Sequence, residues 1–175
     1  MNSPASVFLV EGVFPALNLS CLLYQHAMCP DFSDRPSADP YNLDRFLQAQ
    51  SSMFERVLQE LRAGMKTSHW IWFIFPQIRG LGRSPISIEF AIASRQEASA
   101  YLQHPVLGPR LKECTQLVLQ VEGRSVEQIF GSPDDLKFRS SMTLFAQVSP
   151  DDDIFVRALQ KYFGGVPDQL TLDRL

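Results

Sequence analysis

The stretch Lys66-Thr67-Ser68-His69-Trp70-Ile71-Trp72-Phe73-Ile74-Phe75-Pro76-Gln77 decides how this chain is read. From Trp70 to Phe75 it is apolar on every side. Such a run suits a buried strand or a buried helix, and periodicity alone does not separate them. The β-propensity of Trp, Ile and Phe argues for a strand. The Thr/Ser start and the helical patterns on both sides argue for a helix. We read a buried central helix that ends before Pro76, because the residue preceding proline is driven out of the helical region.

Upstream, Leu43, Phe46, Leu47, Met53, Phe54, Val57, Leu58 and Leu61 predict one amphipathic helix of about twenty residues. Asn42 is its expected N-cap and Gly64 its left-handed terminator. Downstream, Gln77 to Arg83 reads as a glycine-containing loop. Ser84-Pro85 opens a short helix to about Ala91. Ser94 with Glu97 starts another that runs to about Gln103, where His104-Pro105 breaks it. Leu111, Cys114, Val118 and Val121 stripe the next helix, stopped by Gly123. Ser125 with Gln128 caps a single turn before Gly131, and Ser132-Pro133 opens a helix to about Gln147. Asp151 to Asp153 cap a last clear helix that Gly164-Gly165 ends, and a short turn follows Pro167. No alternating strand pattern and no βαβ spacing occurs. The expected fold is all-α: a compact single domain of seven or eight short helices around an aromatic central helix.

Composition narrows the function classes. The chain has 175 residues, 45% hydrophobic and 20% charged, with a net charge of −3. That balance is too apolar for wholesale disorder and carries no basic excess of the kind nucleic-acid binders show. Aromatic residues make up 11% of the chain. Cys21, Cys29 and Cys114 cannot all pair and form no C-x-x-C, which points to a reducing cytoplasm. Residues 1–38 differ from the rest. Val7 to Tyr24 is apolar but interrupted by Glu11 and Pro15, and no Lys or Arg precedes Arg35. That suits neither a secretory signal nor a membrane span. A linker rich in Pro, Asp and Ser follows. We expect residues 1–38 to be an appendage, docked or disordered or upstream of a true start at Met28, and residues 39–175 to be the domain.

The run Lys66 to Gln77 closely resembles the signature of a domain-of-unknown-function family (family 1810) often labelled "calpastatin-like". So do Gly80 to Ser84, His104 to Leu111, Ile129 to Lys137 and Arg139 to Phe145. The resemblance covers about Asp39 to Leu170 and has no counterpart for residues 1–38. It implies a mainly α-helical fold and no established reaction, substrate or catalytic residue. The label itself meets a physical objection. Calpastatin inhibits calpain through long, polar, disordered segments, whereas this chain is aromatic and well capped.

Two polar groups flank the aromatic run. Lys66, Ser68 and His69, with Trp70 and Trp72, suit either a pocket with an imidazole and an indole wall or a core helix with internally satisfied polar groups. Gln77, Arg79, Gly82, Arg83 and Ser84 suit an anion site in which glycine allows close approach, a helix start offers N–H groups and arginines supply charge. The same residues equally suit a tight helix–helix turn with solvated arginines. Arg139 is a further candidate cation. His104 with Arg110 and Glu113 reads as a helix break with surface charges. Asp134, Asp135, Lys137, Arg139, Ser140 and Ser141 form one more polar group, read first as a helix start whose Asp residues complement the dipole. No nucleophile signature, metal spacing or cofactor motif is present. The leading expectation is a binding domain for a small anionic ligand or a protein partner, with no cofactor, metal, nucleic acid or membrane. The alternative is an enzyme acting on a phosphorylated or nucleotide-like small molecule through Lys66, His69 and Arg83.

Overall fold

A computed structural model describes residues 39–175. Expectations for residues 1–38, including Cys21 and Cys29, lie outside the described residues. Ten helices follow one another: α1 Asp44–Ser51, α2 Phe54–Arg62, α3 Ile71–Ile74, α4 Pro85–Glu89, α5 Arg95–Gln103, α6 Leu107–Gln120, α7 Val126–Phe130, α8 Asp134–Ala146, α9 Ile154–Phe163 and α10 Gln169–Leu172. The all-α expectation holds among the described residues, with ten helices rather than seven or eight. The only β-type contact described is an isolated parallel bridge between Ile78 and Ile92.

The expected twenty-residue helix is two helices. Its apolar rhythm skips from Leu47 to Met53, and the core-facing position between them is Gln50, only 1% exposed. The Gln50 amide donates to the Phe73 carbonyl at 2.7 Å and to the Tyr101 hydroxyl at 3.2 Å. Ser51 and Ser52 then compete with the backbone, and the Ser51 hydroxyl donates to the Gln48 carbonyl at 2.7 Å. Asn42 does not cap α1. It takes φ +50°, and the Asp39 carboxylate accepts the Leu43 and Asp44 amides at 2.7 and 2.9 Å. Gly64 does terminate α2, at φ +62°.

The aromatic run forms the buried centre as expected, but only Ile71–Ile74 is helical, a single turn. Trp70 and Phe75, on either side of it, are fully buried. This turn packs on α1, α6 and α8. Helix α8 shares the centre: Phe138 and every residue from Ser140 to Phe145 are buried. Its Phe138 ring lies 4.9 Å from Phe75 and 4.8 Å from Phe130, so the aromatic excess becomes one continuous cluster. Ser132 does not cap α8, since Pro133 directly precedes its first residue. Between α3 and α5, the Ile78–Ile92 bridge closes a loop at its base. There the Arg79 amide donates to the Ile92 carbonyl at 2.8 Å, and the Ile92 amide donates to Gln77 at 2.9 Å. That loop carries α4 and forms one wall of the site described next.

Cys114 is buried, and desolvation pushes its thiol well above the usual range. Among the described residues no helix is long and apolar enough to cross a membrane, and no group of three or more His, Cys, Asp or Glu residues is placed to hold a metal.

Candidate functional site

The polar run before the aromatic centre sends most of its hydrogen-bonding groups inward. The Glu60 carboxylate, on α2, gathers it. Glu60 accepts the Ser68 hydroxyl at 2.6 Å, the Thr67 hydroxyl at 2.8 Å, the Thr67 and Ser68 amides at 2.9 and 3.2 Å, and the Trp70 indole N–H at 2.7 Å. Burial by itself would raise the Glu60 pKa. The donors from Ser68, Thr67 and Trp70 outweigh it and hold the carboxyl at about 2. Lys66 is committed as well. Its ammonium lies 2.6 Å from Asp134 and over the Trp70 ring, 5.3 Å from the centroid. Lys66, Ser68 and Trp70 therefore hold the core together. His69 is exposed.

The main groove lies one step further along the chain and encloses about 480 Å³. Its first wall is the α3–α4 loop with Trp72, Gln77, Leu81, Gly82, Arg83, Ser84 and Ser87. Its second is the start of α8 with the segment before α10, contributing Pro133, Leu136, Lys137, Arg139, Ser140, Asp168 and Leu170. Of the sequence candidates, Trp72, Gln77, Gly82, Arg83, Ser84 and Arg139 meet there. Lys66, Ser68, His69, Trp70 and Arg79 do not line it, and Arg79 is exposed on the loop.

Local chemistry explains each placement. A Cβ on Gly82 would overlap the Ser87 hydroxymethyl group, so this close packing of loop on α4 requires glycine. The Ser84 side chain caps α4 by accepting the Ser87 amide at 3.3 Å. Pro85 has no N–H, so the start of α4 has little left to offer a ligand, unlike the sequence expectation. Arg83 is exposed and makes no hydrogen bond or ion pair among the described residues. Arg139 donates only to backbone carbonyls, Val166 at 3.1 Å and Pro167 at 3.2 Å, so no carboxylate offsets its charge there. Lys137 reaches Asp134 at 2.7 Å and lies over the Trp72 ring at 4.4 Å. Burial would raise the Asp134 pKa, but Lys137 and Lys66 outweigh it and hold the carboxyl below its usual range. One carboxylate thus serves two ammonium groups, and a surplus of positive charge remains. Asp168 is the one acidic residue lining the groove.

A family model matches residues 40–175, described as a protein of unknown function (DUF1810). The chain belongs to that family. The match leaves out residues 1–38 and agrees with the motifs from Lys66 to Phe145. The crystal structure of the conserved hypothetical protein Rv1873 from Mycobacterium tuberculosis is similar at 56% identity and a TM-score of 0.78, covering 78% of this chain and 98% of that one. It supports the helical architecture for the family. Among curated proteins, none matches this chain.

Within this DUF1810 fold, sequence reasoning missed Asp168 and Leu170 as groove residues, and read Lys137 and Ser140 chiefly as parts of a helix start. The structure itself marks part of that wall. Leu136 is an apolar residue on α8 that remains 54% exposed, and Leu170 is 57% exposed beside it. His104 behaves as the expected helix break, its Nδ1 accepting the Val106 and Leu107 amides at 3.1 and 3.3 Å. Arg110 is no mere surface charge: it donates to Gln50 at 3.2 Å and lies over the Phe54 ring.

Proposed function

We propose that this chain is a binding domain, folded over residues 39–175 and working in the cytoplasm, that seats a small anionic ligand in the Trp72–Arg83–Arg139 groove. One observation carries the reading. A chain of net charge −3 gathers Arg83, Lys137 and Arg139 around a groove with a single lining carboxylate. Guanidinium groups suit phosphate and carboxylate through paired N–H donors. Arg83 is the cation with no competing partner among the described residues. The volume falls in the range of about 300–1,000 Å³ typical of small-molecule sites. The enzymatic alternative leaned on Lys66 and His69, which do not line the groove, so the binding reading is preferred.

A thermal-shift screen with inorganic phosphate, sugar phosphates and nucleotides tests it. A ligand at 100 times its Kd stabilises the fold by about 2.7 kcal/mol. Arg83→Ala should remove most of that shift. A full shift in the variant, or none in the parent with any anion, would refute the anion site. The exposed Leu136 and Leu170 at the groove's lip favour a protein partner as the second reading, which gains weight if every anion fails.

A further inference from the structure

We infer that the ligand of this groove is a nucleoside monophosphate: an anion joined to an apolar ring body that also offers a hydroxyl or N–H donor. This rests on the anion-binding reading above and adds the chemistry that a bare anion leaves unused.

Three features argue for it. First, a bare anion would fill only part of about 480 Å³. Second, much of the lining is apolar. Leu81, Pro133, Leu136 and Leu170 have nothing to give a small inorganic ion, whereas they and Trp72 suit the faces of a flat ring. Third, Asp168 is held as a fixed acceptor. Its Oδ2 accepts the Ser140 hydroxyl at 2.9 Å, the Thr171 hydroxyl at 2.5 Å and the Thr171 amide at 3.1 Å. Its own amide donates to the Thr143 hydroxyl at 2.8 Å. Oδ1 accepts no hydrogen bond among the described residues. A carboxylate so placed repels a ligand that is only negative and rewards one that brings a donor. Arg83 and Asp168 belong to different walls, and a ligand whose phosphate and donor are separated by a body, as phosphate, sugar and base are, suits both.

Calorimetric titration of the full chain with a nucleoside 5′-monophosphate, ribose 5-phosphate and inorganic phosphate tests the inference. The nucleotide should bind at least ~10-fold more tightly than either smaller probe, since one hydrogen bond to a charged group alone supplies a factor of that order. Asp168→Asn keeps a good N-cap for α10 while turning the open acceptor into a donor. It should erase the nucleotide's advantage and leave phosphate binding no weaker. Trp72→Leu, which leaves Asp168 intact, should lower the advantage by removing the aromatic wall; melting curves verify that each variant is folded. Equal affinity for nucleotide and phosphate, or an advantage that survives either substitution in a folded variant, overturns the nucleotide inference and leaves the anion site standing. Binding of none of the three probes, or binding indifferent to Arg83→Ala, overturns both.

Discussion

Replacing Glu60 with Gln tests the account of the core most directly. Five donors converge on the Glu60 carboxylate, which is 8% exposed. An amide cannot serve them all, because its NH₂ would face groups that are themselves donors. The carboxyl falls from its ordinary 4.5 to about 2 in the folded chain. A drop of that size is worth ~3 kcal/mol of stability at neutral pH, at 1.36 kcal/mol per unit. The folded pKa is depressed, so this contribution is complete above about pH 4.5 and is lost as the pH falls toward 2. At pH 3 only ~1.4 kcal/mol of it remains. Urea denaturation of both proteins at pH 7 and pH 3 measures the gap directly. Glu60→Gln should be less stable by about 3 kcal/mol at pH 7, and the gap should shrink by about 2 kcal/mol at pH 3. A gap that is the same at both pH values would mean that the carboxylate's charge is not what the donors hold. Gap or no gap, the comparison isolates Glu60, because every other titrating group is common to both proteins.

Four further substitutions probe other parts of the structure. Phe138→Ala removes a fully buried ring that touches Phe75 and Phe130 and should cost ~4 kcal/mol in chemical denaturation. Asp134→Ala leaves Lys66, whose side chain is 6% exposed, without its carboxylate, and should cost ~3 kcal/mol. Adding Lys66→Met should recover part of that loss, and a double variant as unstable as the sum of the singles would refute the pairing. Gly108→Ala places a Cβ 2.8 Å from the Leu102 carbonyl carbon, forcing the start of α6 off α5. It should lower stability by ~3 kcal/mol, whereas a neutral result would show that the two helices slide freely.

What the sequence made legible were features written in adjacent residues. Ser125 and Gln128 form both bonds of a capping box, the Gln128 side chain accepting the Ser125 amide at 2.8 Å and the Ser125 hydroxyl accepting the Gln128 amide at 3.2 Å. Ser84-Pro85 opens α4, and Gly64 and Gly164 end their helices in left-handed conformations. The contiguous wall of the groove, Trp72 to Ser84, was readable for the same reason. Other features depend on residues that meet only in the fold. Nothing near Gln50 announces that it turns inward, because its partners, Phe73 and Tyr101, lie in distant segments. The second wall of the groove joins α8 to the segment before α10, and no local pattern links Lys137 or Ser140 to Asp168.

The polar run Lys66-Thr67-Ser68-His69 shows how a structural need can resemble a site. A core helix start does not by itself require Lys, Thr, Ser and His in a row. The requirement comes from Glu60, a buried carboxylate that no Lys or Arg pairs with among the described residues, so hydroxyl, amide and indole donors carry the whole burden. Lys66 completes the enclosure from the other side through Asp134. Trp70 is thereby fixed at its indole nitrogen by Glu60 and at its ring face by Lys66. Trp70 is locked inward just before α3, and Trp72, two residues on, is half-buried and lines the groove under Lys137. Lys137 in turn is held by the same Asp134 that holds Lys66. Lys66, Ser68 and Trp70 thus act one layer beneath the groove, anchoring the chain that carries its aromatic wall and the carboxylate that holds one of its cations.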